Sequence, residues 1–150
     1  MMKGELSTSV LPRIYIVFEG LVGILPDTKS KALEALHRKR KDWKKAANQY
    51  VLNEPTKQGL RDAYFRYNFR VDVLTFHGAD FADAVRDRLD QKSLLFGDVV
   101  AYDQGELLHE LTYDRSIMAV LDPAPERMLT WGSKGRLCSP EQLNLMGLIT

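Results

Sequence analysis

The chain has 150 residues, 45% hydrophobic and 27% charged, with a net charge of +1, one cysteine and three histidines. These numbers fit one globular domain with a sizeable core, and they exclude an internal disulfide framework and a zinc constellation. No apolar run is long enough to cross a bilayer and no N-terminal signal region is visible, so the cytoplasm is the expected compartment.

Residues 1–12 read as a flexible lead-in, because Pro12 disfavours helix in the residues before it. Next comes the stretch that organises the chain, Arg13 to Leu25 (RIYIVFEGLVGIL). Ile14 to Phe18 form an unbroken β-branched and aromatic run, the mark of a strand buried on both faces. It ends in Glu19-Gly20, and the carboxyl ends of parallel strands are where open α/β sheets gather their chemistry.

Leu25-Pro26-Asp27-Thr28 is turn chemistry that supplies a helix cap. A helix is predicted from Lys29 to Tyr50, with Leu33, Leu36, Trp43, Ala47 and Tyr50 on its inner face and a basic stripe of Lys31, Arg38, Lys41 and Lys45 outside. Between Lys29 and Lys45, eight Lys/Arg stand against Glu34 and Asp42, a local charge of +6 that leaves −5 on the rest of the chain.

Asn53-Glu54-Pro55 ends that helix, and Thr56 is expected to cap a second one reaching Tyr67. A strand follows from Phe69 to Thr75, with Thr75-Phe76-His77-Gly78 as its exit. Then come a helix over Asp80–Leu89, a strand over Gly97–Tyr102, a short helix over Glu106–Thr112 and a strand from Ile117 to Leu121 that ends at Asp122. The prolines at 123 and 125 suit the first turn of a helix running to Trp131, which Gly132 or Gly135 stops. Arg136 to Cys138 reads as an edge strand. The tail, residues 140–150, is apolar enough to dock on the domain. Strands alternate with helices throughout, so the class is α/β with a mainly parallel, five-stranded sheet.

The ends of three strands, Glu19, Thr75 and Asp122, form a series. With their surroundings (IVFEGLVGILPDT, Asp42-Trp43 before Asn53-Glu54-Pro55, VDVLTFHG and AVLDPAPERMLTWGSKG), the series resembles the haloacid dehalogenase-like (HAD) phosphohydrolase superfamily. The closest flavour is that of the small phosphatase domains of polynucleotide kinases and their phage-encoded relatives, so a phage origin is an expectation. The resemblance spans residues 13–139. It implies a Rossmann-like three-layer sandwich, with helices on both faces of the sheet and minimal or no cap.

It also implies a damaged site. The nucleophile position holds Glu19, a methylene longer than the family's Asp, and such a displacement costs roughly 10²-fold. The proton donor appears as Leu21, and general acid–base help is worth roughly 10² to 10⁴. The phosphate-binding hydroxyl survives as Thr75. The lysine position falls at Gly105-Glu106, and the metal-binding acid pair is Asp122-Pro123. Glu19 and Asp122 alone would face a magnesium ion that wants near-octahedral oxygen ligands.

The expectation is a catalytically degenerate pseudo-phosphatase that works as a binding protein. Lys31, Arg38, Lys41 and Lys45 would contact the partner, an acidic protein more than a nucleic acid. No cofactor is expected, with magnesium relevant only if activity survives. Two alternatives stand beside it: a weakly active Mg-dependent phosphohydrolase or phosphate-ligand binder using Glu19, Thr75 and Asp122, and a homo-oligomeric structural component that uses the apolar tail. A shifted first motif would make Asp27 the functional acid, and His77 beyond Thr75 is a candidate base. Cys138, His37 and His109 show no triad spacing.

Overall fold

The apolar run after Arg13 becomes β1 (Arg13–Val17), the central strand of a five-stranded parallel sheet in a computed structural model that describes residues 12–92, 94, 96–102 and 104–141. Beyond it lie β2 (Gly23–Ile24), α1 (Thr28–Lys39), α2 (Trp43–Asn48), β3 (Val51–Leu52), α3 (Glu54–Phe65) and β4 (Arg70–Thr75). The second half adds α4 (Ala79–Gln91), β5 (Val99–Ala101), α5 (Gln104–Tyr113), β6 (Ile117–Asp122), α6 (Met128–Trp131) and β7 (Gly135–Leu137). Sheet order is β5-β4-β1-β6-β7, while β2 and β3 pair antiparallel in a small sheet of their own.

In β1 successive side chains point to opposite faces, and both faces are apolar. Ile14, Ile16 and Phe18 pack with Ala46 and Ala47 of α2, Leu60 and Ala63 of α3, and Phe81, Val85 and Leu89 of α4. Tyr15 and Val17 turn the other way, to Leu107 and Leu111 of α5 and Trp131 of α6. The result is the expected α/β three-layer sandwich. Ile14, Ile16 and Val17 are fully buried, and each such side chain contributes about 1.5–3 kcal/mol relative to exposure. Among the described residues no helix is long and apolar enough to cross a membrane.

Three expectations are corrected. The helix anticipated from Lys29 to Tyr50 is two helices. Asp27 caps α1 as expected, accepting from the Ser30 N–H at 2.7 Å, but the chain turns at Lys41, whose φ of 59° is left-handed. Asp42 then caps α2, accepting from the Lys45 N–H at 3.4 Å. Together α1 and α2 form a small helical insertion between β2 and β3.

Thr56 is not a cap. It lies inside α3, which begins at Glu54 with Pro55 in its first turn, and its hydroxyl donates to the Leu21 carbonyl at 2.6 Å. The helix anticipated after Asp122 is a 3-10 turn over Pro125–Arg127, one turn of α6, and a second 3-10 turn over Gly132–Lys134. The pairing of β2 with β3 was not anticipated, because two residues per strand carry no periodicity. The lead-in before Pro12, and the tail from residue 142 onward whose docking was expected, lie outside the described residues. Pro140 is held, its carbonyl accepting from Asn53 Nδ2 at 2.7 Å.

Candidate active site at the strand ends

Because β1, β4 and β6 are adjacent and parallel, their carboxyl ends bring Glu19, Thr75 and Asp122 to one edge of the sheet. After β1 the chain turns tightly, with the N–H groups of Leu21, Val22 and Gly23 all donating to the Phe18 carbonyl at 3.3, 3.1 and 2.9 Å. Gly20 makes that turn with φ of 96°, and a Cβ there would lie 2.9 Å from Pro123 Cγ. A glycine therefore lets the exits of β1 and β6 close on each other.

Glu19 is largely enclosed, its side chain 18% exposed. One oxygen, Oε2, accepts from the Thr75 hydroxyl and, at 3.4 Å, from the Phe76 N–H. His77 Nε2 stands 3.7 Å from the same oxygen. The other, Oε1, is buried without a partner among the described residues. Burial pushes the Glu19 carboxyl above its ordinary 4.5, against the opposing hydrogen bond from Thr75. Burial, then the charge of Arg38, push the His77 imidazole down. Both shifts favour the neutral form of the group.

Asp122 is fully buried and surrounded by donors. Its Oδ1 accepts from the Ala124 N–H at 3.0 Å and Arg127 Nη2 at 2.8 Å. Its Oδ2 accepts from Arg127 Nε at 2.7 Å and Trp131 Nε1 at 2.8 Å. A carboxylate offers about four lone-pair sites, and four donors fill them. The Arg127 guanidinium also lies over the Phe76 ring, 4.4 Å from its centroid.

Leu21 is fully buried within the hydrophobic core. It presents no proton-transferring group to this edge of the sheet. Glu106, at the position where the resemblance wants a lysine, sits exposed on α5. The residues present do not fit a divalent ion: Asp122 has no free lone pair, and no three His, Cys, Asp or Glu side chains gather as a metal group among the described residues.

The basic stripe is rearranged. Lys31, Lys41 and Lys45 are exposed, with Lys41 at the junction of α1 and α2 and Lys45 at 3.6 Å from Asp42. Arg38 folds back instead onto Glu34, Nε to Oε2 at 2.7 Å. Glu34 is the one buried residue of α1, and it also accepts from the Tyr50 hydroxyl at 2.8 Å. Tyr50 in turn packs edge-on against Phe18 and Phe81, which closes this side of the strand-end cluster.

Asp27 is committed to its cap, and its carboxyl is held below the ordinary range by the Ser30 N–H. Cys138 is buried, its thiol raised by that burial to about 11. Arg127, Trp131 and Glu34 were not singled out from the sequence. For Glu34 a signal existed, since Arg38 stands four residues on along a helix. A cavity of about 150 Å³ opens at the opposite end of the sheet, where β4 begins, lined by Leu60, Tyr64, Phe69, Val71 and Phe96. Among the described residues that line it there is no carboxylate, imidazole or thiol.

No protein-family model and no curated protein matches the chain. A solved structure titled "Structure of Pnkp1/Rnl/Hen1 complex" contains a chain of similar fold, with a TM-score of 0.58 and 13% sequence identity. The match covers 86% of this chain and 46% of that one, so this chain spans about half the length of its structural neighbour. The likeness is one of fold.

Proposed function

We propose that the chain is a HAD-like phosphatase fold whose reaction site has been closed from within, and that it works as a binding protein. Four donors on one buried carboxylate carry this proposal. Asp122, the acid that would hold a metal ion, is filled by Arg127, Trp131 and the Ala124 N–H. Leu21 in place of a proton donor and the longer Glu19 act in the same direction. If those two losses multiply, they remove roughly 10⁴ to 10⁶ of rate. At about 1.4 kcal/mol per tenfold, that is roughly 5 to 8 kcal/mol of barrier.

Folds outlast the chemistry they once carried, and a small charged insertion then becomes the natural contact. Exposed Lys31, Lys41 and Lys45 belong to a segment of net +6, set against −5 elsewhere. An acidic face of a protein partner complements that patch, whereas a long nucleic acid would also run over the negative remainder. The fold's likeness to a chain in a multi-component complex supports the same reading.

Two measurements test it. Phosphomonoesters, nucleotides and 3′-phosphorylated oligonucleotides should show no magnesium-dependent turnover at high protein concentration. Turnover that disappears in Asp122→Asn would establish the residual phosphohydrolase instead. Lys31→Glu with Lys41→Glu should abolish partner capture, and unchanged capture would refute the assigned surface.

A further inference from the structure

We infer that the cavity where β4 begins is a binding site for a small aromatic carboxylate, a single six-membered ring with its acid group close by. It lies at the start of the strand that Thr75 ends, away from Glu19 and Asp122, so the inference stands apart from the closed-site reading.

The connection between α3 and β4 builds the walls. Asn68 turns the chain with a left-handed φ of 55°, a conformation that Asn adopts more readily than most residues. The turn brings the Phe69 N–H back to the Ala63 carbonyl at 2.9 Å, which sets the start of β4 against the end of α3. Leu60 and Tyr64 of α3 then share a space of about 150 Å³ with Phe69 and Val71, and Phe96, ahead of β5, adds a further wall. A cavity of that size with aliphatic and aromatic walls admits one benzene-sized ring.

Asn68 and Arg70 give this lining an amide and a positive charge. Arg70 is held in place. Its Nε donates to Asp72 Oδ1 at 2.9 Å, and Asp72 is 2% exposed. The same oxygen accepts from the Asp98 N–H at 3.0 Å, and Asp72 Oδ2 faces Arg13 at 3.8 Å, so the charge of Asp72 is shared. Gly97 makes room for the pair: a Cβ there would fall on Asp72 Oδ1 and lie 2.6 Å from Arg70 Nε. With Nε committed, the two Nη groups carry the remaining donors, on a half-exposed side chain that also lines the cavity. The guanidinium fork matches a carboxylate, and a ring in the cavity with its acid at the mouth satisfies both parts of the lining.

The experiment titrates phenylacetate, benzyl alcohol and acetate separately into the full chain, as wild type, Arg70→Met and Tyr64→Ala, and follows amide shifts by NMR. Phenylacetate should bind wild type saturably, with a Kd of roughly 1 mM for so small a ligand, and should move the amides of Leu60, Phe69, Val71 and Gly97 most. Benzyl alcohol, which keeps the ring and lacks the charge, should bind about tenfold more weakly, and acetate should not saturate. Arg70→Met should weaken phenylacetate about tenfold and leave benzyl alcohol unchanged. Tyr64→Ala, at a position 58% exposed, should weaken both ring compounds.

Absence of saturable phenylacetate binding by wild type overturns the inference. So do shifts centred elsewhere, or an Arg70→Met variant that loses both ring compounds equally. If Arg70→Met does not fold, wild type decides the matter: a preference for phenylacetate over benzyl alcohol supports the inference, and equal affinity overturns it.

Discussion

Replacing Glu34 tests whether one buried carboxylate holds the helical insertion to the domain. Glu34 is 2% exposed and is the one buried residue of α1, so little apolar surface secures that helix. Its Oε2 accepts from the Tyr50 hydroxyl at 2.8 Å and from Arg38 Nε at 2.7 Å. Breaking a buried ion pair by removing one partner costs about 3–5 kcal/mol, but the Arg38 side chain is 31% exposed and regains water, so that part is discounted. The Tyr50 hydroxyl stays buried, and leaving it unpaired costs about 1–3 kcal/mol.

Glu34→Ala should therefore lose about 2–4 kcal/mol in urea denaturation followed by tryptophan fluorescence, with an unchanged m value. For a chain of this size that is a drop in melting temperature of about 4–16 °C. Glu34→Gln keeps an acceptor for Tyr50 and should lose about half as much. Hydrogen exchange should place the loss first in α1 and α2. A loss within about 0.5 kcal/mol, the range of ordinary surface substitutions, would refute the reasoning.

Other outcomes follow from single groups. The Glu19 carboxyl is raised in the folded chain, so its contribution to stability is present below the ordinary value of 4.5 and lost as pH rises through the folded value. Glu19→Gln should flatten that fall, and a wild-type minus variant difference that does not change with pH above 4.5 would exclude the shift. Lys41 holds a left-handed φ of 59°, which costs an L-residue about 1–2 kcal/mol, so Lys41→Gly should be neutral or stabilising and Lys41→Val clearly destabilising in thermal melts. The Cys138 thiol is buried and raised to about 11, so iodoacetamide should label it at neutral pH only on unfolding.

The central strand and the three converging strand ends were legible because an unbroken apolar run such as Ile14 to Phe18 has one common cause, burial on two faces. Alternation of strands and helices then set the layers. The break at Lys41 was not legible. No Gly, Asn or Pro marks it, and Leu33, Leu36, Trp43 and Ala47 keep helical spacing across it. Arg127 stayed hidden for a different reason. It lies in a proline-bounded 3-10 turn without periodicity, and its partners come from β6 and the exit of β4. Thr56 shows the ambiguity of a hydroxyl near a helix start: local chemistry says cap, yet the side chain reaches 35 positions back to Leu21.

The order of synthesis runs against the order of the sheet. The middle strand leaves the ribosome first, yet Arg13 pairs on one side with Arg70 and on the other with Ile117. The residues up to Ile117 must therefore emerge before the strand has both neighbours. Until then Ile14 to Phe18 offers two sticky apolar faces and open backbone edges, the conditions under which nascent chains associate with one another or recruit chaperones. A topology that hides its centre so completely when finished leaves that centre bare until the second neighbouring strand arrives.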